Sequence, residues 1–517
     1  MRSAVMTVTT VITVAAGAFA PGHLGELTRI IPFGLADAVL EEEGGLEKRV
    51  RLLPSRCGLY FLLAMCLFPQ SGYLGVWGKL TARLRVPGIP GPSAKALRDL
   101  RRRIGTAPVK RLFEVLAGPL GQPRTPGIMF RGYRTVSFDG CKSIRVPDTK
   151  ANRAWLGKQN AKNGETGYPA LLLMALAETG TRALPGAVFG SQAGGETAWA
   201  AKLLHLLDAT MLLLMDRGFD SGDFLAAVAA TKAQFLVRLN GNRRPPVLRH
   251  LPDGSFTSVT GGVKVRIITA RVTVTCHDGT VYGDVYRLAT TLPGDRAYPA
   301  EALIRLYHER WEHEITYLAL RHTLLNGRVL RSGSPAGIQQ ETWALLAVYQ
   351  ALRTAVTDAV QTVPGIDPDR ASWQAAVETA RNLVTTAQNI TDPGGSDLQG
   401  DIGRAVLGSL HGPPAPRLRP QGQVTAQPLE QAPRRETPHN QANNTNHQPH
   451  RPGPPGAISP ASVGARHGQL AVRALIHLPN GPGLRAQHPV PLPSCHGPRS
   501  GRALRRPQYR RRIQVPS

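Results

Sequence analysis

Three acidic residues carry most of the chemical information in this chain. Asp139 closes an alternating apolar run, Tyr133-Arg134-Thr135-Val136-Ser137-Phe138-Asp139-Gly140. Asp216 closes a second, Met211-Leu212-Leu213-Leu214-Met215-Asp216, followed by Arg217, Gly218 and Phe219. A short apolar run ended by Asp-Arg-Gly reads as a buried strand that delivers its last side chain to a sheet edge. Glu314 sits instead in a helical pattern. Hard oxygen donors held on rigid elements, far apart in sequence, are what a two-metal phosphoryl-transfer site requires.

The helix around Glu314 can be tested by arithmetic. At about 100° per residue, Tyr307, Arg310, Glu314 and Arg321 fall at about 0, 300, 340 and 320°, an arc of about 60°. The rival carboxylates Glu309 and Glu312 fall on the opposite side, at about 200 and 140°. Glu314 is therefore the expected ligand. A polar stripe that merely faces solvent is the simpler alternative, and periodicity alone leaves it open.

The spacing Tyr307-x2-Arg310-x3-Glu314-x6-Arg321 resembles the Tyr-x2-Arg-x3-Glu-x6-Lys signature of DDE transposases of the insertion-sequence 4 type, with Arg where that family has Lys. The surroundings agree in order: Phe138-Asp139-Gly140, Val146-Pro147-Asp148-Thr149, Met215-Asp216-Arg217-Gly218-Phe219, Tyr298-Pro299-Ala300 and Val329-Leu330-Arg331-Ser332. The resemblance runs from about residue 20 to about residue 410. It implies that Asp139, Asp216 and Glu314 are catalytic and hold Mg²⁺ (or Mn²⁺), two ions, and that Tyr307, Arg310 and Arg321 bind DNA phosphates. Arg217 is a further phosphate contact or a salt-bridge partner, the two readings being balanced. The implied reaction is cleavage and strand transfer of insertion-sequence ends. The implied partners are terminal inverted repeats and target DNA, with a homodimer in the DNA complex and no membrane. A catalytically silent DNA-binding relic and a nuclease that cuts without joining are the alternatives.

Composition is consistent with a polyanionic partner. The formal charge is +27. Residues 412–517 contribute +13 of this, from fifteen Arg against Glu430 and Glu436, so the rest of the chain is also positive. Such a balance favours phosphate without diagnosing it. Five scattered cysteines without a Cys-x2-Cys pair argue against a disulfide framework or structural zinc. The small-residue run near Ala15–Ala20 imitates a secretion signal, but Thr7, Thr9, Thr10 and Thr13 interrupt its apolar region. A cytoplasmic protein, associated with the nucleoid when bound to DNA, is expected.

The fold expected is α/β: a helical N-terminal DNA-binding and assembly domain over 1–125, then a ribonuclease-H-like catalytic core over 126–411. A β-rich insertion at about 240–292 interrupts the core, and a basic, disordered tail over 412–517 follows it. Ser93 offers an N-cap for a helix bearing Arg98, Arg101, Arg102 and Arg103, a DNA contact or a solvated face. Strands are expected at Thr135–Asp139, Tyr168–Glu178, Arg182–Phe189, Met211–Asp216 and Gln234–Arg238, with helices near Glu196–Leu207 and Gly222–Ala230. Hairpin signals follow to Thr290, and one helix is expected over Pro299–Leu325. His308 and His313 stand five residues apart and miss the one-face spacing of a zinc protease. Trp311 reads as core or as a base-stacking group. All eleven Lys precede residue 265, and an Arg/Pro/Gly/His-rich end is the composition of an out-of-frame reading of a high-GC gene.

Overall fold

The computed structural model describes residues 23–47, 49, 51–82, 91–161, 164–276, 281–386, 399–412 and 472–477. Its elements separate into two compact units: residues 1–251, 255–268 and 286–414, and residues 252–254, 269–285 and 415–517.

The first unit opens on helices α1 (Phe33–Glu42), α2 (Ser55–Leu67), α3 (Tyr73–Thr81), α4 (Ala94–Ile104) and α5 (Ala107–Leu116). The α2 helix is buried almost throughout, as its unbroken apolar sequence requires. Ser93 caps α4 by accepting from the Ala96 N–H at 3.1 Å. The four arginines of α4 do not act as one face: Arg101 is buried in an ion pair with Glu341 at 3.1 Å, while Arg98, Arg102 and Arg103 are exposed. The α4 helix is amphipathic and Arg101 falls on its buried side, so of the four only Arg98, Arg102 and Arg103 are available to DNA or solvent.

The strands follow: β1 (Met129–Phe130), β2 (Tyr133–Arg145), β3 (Gln159–Ala161), β4 (Gly164–Thr166), β5 (Ala170–Glu178), β6 (Gly186–Gly190), β7 (Met211–Met215), β8 (Gln234–Arg238), β9 (Arg249–His250), β10 (Phe256–Thr260), β11 (Val263–Cys276) and β12 (Val281–Thr290). Helices α6 (Lys150–Leu156), α7 (Gly195–Ala201) and α8 (Gly222–Ala230) lie among them. The main sheet runs β6-β5-β2-β7-β8-β12-β11-β10-β9. The β2, β7 and β8 strands are mutually parallel, and β5 and β6 are antiparallel to their neighbours. Every residue of β5 and β7 is buried, the pattern of strands covered on both faces. Leu171, Leu173, Ala175 and Ala177 point into a core shared with the helices, whereas Val136, Phe138, Leu213, Met215 and Phe235 form a second core on the other face with α7 and α8.

After the β-rich run come α9 (Ala300–His308), α10 (Trp311–Leu318), α11 (Pro335–Gln361), α12 (Trp373–Thr386) and α13 (Gly400–Leu407). The single helix expected over Pro299–Leu325 is corrected: Glu309 and Arg310 form a turn between α9 and α10, and Ala319–Leu324 is a π-helical segment. Its wider i→i+5 winding removes the constant angular step that the stripe arithmetic assumed.

The second unit contains the outer part of β11, residues 281–285 of β12, and a strand β13 (Val472–His477), which pairs antiparallel with Arg271–Cys276. The β10 strand pairs only as far as Ile267, so the β11 edge beyond it is open to another strand. The expectation of a structureless tail is corrected over these six residues, and elsewhere beyond Gly412 it falls outside the described residues.

Candidate active site

Strand register brings the two aspartates together. Ser137 on β2 pairs with Leu214 on the parallel neighbour β7. Asp139 and Asp216 each lie two residues further along their own strand, and adjacent strands run about 4.8 Å apart. Asp139 remains in the ladder with β5, whereas Asp216 stands just past the end of β7 and begins a 3-10 turn. In that turn Asp216 Oδ1 accepts from the Gly218 N–H at 2.7 Å. Asp139 Oδ1 accepts from the Gly140 N–H at 2.8 Å.

Glu314 reaches this point from α10. That helix is anchored on β2 by the residues flanking Glu314: His313 Nδ1 and Ser137 Oγ are 2.8 Å apart, and the Tyr317 hydroxyl donates to the Asp139 carbonyl oxygen at 2.5 Å. Side chains alternate along a strand, so Ser137 and Asp139 share the face that α10 covers. His313 is completely buried and its Nε2 has no hydrogen-bond partner, which with nearby Arg310 pushes its pKa down to about 3 and keeps the ring neutral.

Asp216 and Glu314 lie near enough to act electrostatically on the Asp139 carboxyl. Burial pushes the Asp139 carboxyl up to about 6, Asp216 and Glu314 add to the rise, and Arg310 opposes it. Arg310 Nη1 lies 3.9 Å from Asp139 Oδ2, with both side chains largely buried. Burial works against the guanidinium charge, but Tyr307, Asp139, Asp216 and Glu314 together hold it above the ordinary arginine range. Tyr307 is buried beside Arg310, pushed up to about 12 by burial, and stands edge-on to Tyr286, whose ring carries Arg238 at 3.7 Å. Among the described residues, no three His, Cys, Asp or Glu groups are already drawn to metal-holding distance. The donor set nevertheless fits a hard divalent cation, since three mutually repelling carboxylates present oxygen only.

The other expected residues divide. Arg217 is exposed beside Asp216. Arg321 lies in the π-helical segment and lines a cavity with Lys142, Arg145 and Arg328. His308 is half-buried, with its pKa pushed down to about 4 by desolvation and by Arg310. The Trp311 side chain lies outside the described residues.

Sequence reasoning missed Ser137, His313, Tyr317 and Glu196. A β-carbon at Gly218 would stand 2.9 Å from Asp216 Oδ1 and 3.3 Å from Glu196 Oε2, and one at Gly140 would stand 2.8 Å from Glu196 Oε1. Both glycines therefore leave room for a fourth carboxylate, which ion-pairs with Lys142 at 3.1 Å. The alternation that makes β2 a strand was the available signal for Ser137; nothing local marked Glu196.

Residues 131–351 match the family model of the transposase DDE domain, and residues 21–114 match that of the insertion element 4 transposase N-terminal region. The class so defined is the DDE transposases, enzymes that cut and transpose DNA. Within it, the chain belongs to the insertion-sequence 4 type. It is 26% identical over 394 residues to the transposase InsG for insertion sequence element IS4 of Escherichia coli (strain K12), covering 74% of this chain and 88% of that one. A putative transposase InsZ of the same strain is 30% identical over 131 residues, 25% of this chain and 44% of its own. A piggyBac transposase synaptic complex with hairpin DNA aligns with a TM-score of 0.40 at 9% identity, over 73% of this chain and 85% of that one.

Proposed function

We propose that the protein catalyses cut-and-paste transposition of an insertion sequence, with Asp139, Asp216 and Glu314 as the ligands of two Mg²⁺ or Mn²⁺ ions. The observation that carries this reading is the coupling of the three carboxylates around Arg310, brought about by the register of β2 with β7 and the docking of α10. Bound cations would activate the attacking oxygen and stabilise the leaving oxygen at a DNA phosphate. Arg310 and Tyr307 would hold the phosphate near the carboxylates, and exposed Arg217 would contact the backbone beside Asp216. Arg321 keeps the charge of the family's Lys but offers a planar fork to a phosphate.

The parallel β2-β7-β8 core edged by antiparallel β5 and β6 supports a ribonuclease-H-like fold for residues 126–411. The strands β9 to β12, between Asp216 and Glu314 in sequence, support an insertion at about 240–292. Residues 1–125 would bind DNA and assemble a homodimer on it, and 412–517 would form a separate basic tail. The protein would act in the cytoplasm, at the nucleoid. Among the described residues no helix is long and apolar enough to cross a membrane.

The test is incubation of the protein with DNA carrying the flanking inverted repeats and a target plasmid. Metal-dependent release of 3′-hydroxyl ends followed by joining is expected. Cleavage without joining would make the protein a nuclease, and binding without cleavage a relic.

A further inference from the structure

We infer that the cavity lined by Lys142, Arg145, Tyr168, Arg321 and Arg328 is a second subsite for the DNA backbone, holding a phosphate several nucleotides from the one being cut. The inference rests on the transposase reading and extends it to groups outside the signature motif. The cavity has a volume of about 400 Å³ and no acidic residue among the described residues of its wall. It is too small for a duplex and of the size that encloses a small polar ligand.

The charges in the wall are unevenly satisfied. Lys142 shares Glu196 at 3.1 Å, and Arg145 donates to the Gly327 carbonyl oxygen at 2.7 Å. The Arg321 and Arg328 side chains make no hydrogen bond or ion pair among the described residues; only their backbones do, Arg321 accepting from the Gly327 N–H and Arg328 donating to the Leu325 carbonyl oxygen. Arginines gathered without a counter-charge repel one another, and a phosphate relieves that repulsion while matching the guanidinium fork. Tyr168 is about half exposed at the wall, where its ring can stack on a base or sugar.

Position links the cavity to the carboxylates. The strand that bears Asp139 also bears Lys142 and Arg145, three and six residues further on. At about 3.3 Å per residue this is roughly 10 to 20 Å, equal to about three to six nucleotides of a duplex strand at 3.4 Å each. A bulge between Cys141 and Ile144 breaks the pairing with β5 at this point, as bulges do where a strand re-aims its side chains.

The experiment measures binding of full-length Asp139→Asn protein to duplexes carrying the flanking inverted repeat. One phosphate at a time is replaced by an uncharged methylphosphonate, over ten positions on each side of the cut. One or two positions, about three to six nucleotides from the cut, should weaken binding several-fold. Arg328→Ala and Arg145→Ala should each abolish that sensitivity and lower the slope of log affinity against log salt by about one, and Arg328→Lys should restore the slope. Exposed Glu378→Ala, outside the cavity and outside residues 1–125, should leave the interference pattern unchanged. An interference pattern identical with and without Arg328 and Arg145 would overturn the inference while leaving the transposase reading intact. Failure of the Asp139→Asn protein to bind the repeat at all would overturn both.

Discussion

The hydroxyl of Tyr317 donates to the carbonyl oxygen of Asp139 at 2.5 Å, so the helix bearing Glu314 is tied to the backbone of Asp139. Tyr317→Phe deletes this donor and leaves the ring in place. A loss of about 0.5–1.5 kcal/mol in stability is expected, with a roughly 10- to 100-fold fall in cleavage as α10 loosens against β2. Thermal melting and single-turnover cleavage would measure the two. Unchanged cleavage with reduced stability would make the bond purely structural.

Asp139→Asn, Asp216→Asn and Glu314→Gln preserve shape and remove ligand charge. Each should lower end cleavage by at least about 100-fold while repeat binding survives, because the phosphate-binding arginines are untouched. Gel assays of binding and cleavage on the same duplex distinguish these effects. Wild-type cleavage by any one variant would remove that residue from the site.

Cation binding should depend on pH through Asp139. Its carboxyl is pushed up to about 6, so protons compete with the cation below that value. Manganese affinity, measured by calorimetry, should be level above about pH 7 and fall by up to about tenfold per unit below 6. Equal affinity at pH 7.5 and 5.5 would contradict a central role for Asp139.

His308 gives a stability prediction of definite sign. Its pKa in the folded protein is pushed down to about 4 by burial and by Arg310, whereas unfolded histidine titrates near 6.5. The unfolded chain therefore takes up the proton first, and the folded state loses stability as pH falls from 6.5 toward 4. Relative to His308→Phe, the wild type should lose about 2 kcal/mol between pH 7 and pH 5. Denaturant melts at the two values would reveal it; a constant difference would mean that His308 titrates normally.

The segment beyond residue 412 carries fifteen Arg and only two acids without apolar periodicity, a composition that neutralises phosphate but buries little surface. Removing residues 413–517 takes β13 from the edge of β11, yet the first unit should keep its melting temperature and the salt dependence of DNA binding should flatten. A large fall in melting temperature would show that the segment supports the remaining fold.

What could be read from the chain was whatever its chemistry determines over short distances. Gln234–Arg238 and Gly222–Ala230 have the same bounds in the structure as in the sequence reading, because alternation and helical propensity are local. The apolar run before Asp216 announced a buried strand for the same reason. The sequence could not reveal that Ser137 pairs with Leu214, since register depends on partners 77 residues apart, and it is this pairing that brings Asp139 beside Asp216. The arithmetic put Tyr307, Arg310 and Glu314 on one stripe, and Tyr307 and Glu314 both act electrostatically on Arg310 across the turn at Glu309. Its constant step does not extend to Arg321, because a π-helical segment follows Leu318 and no periodicity foretells where a helix yields to packing. The burial of Arg101 against Glu341 and the approach of Glu196 to Gly140 and Gly218 arise from contacts between distant elements, so only the tertiary structure decided them.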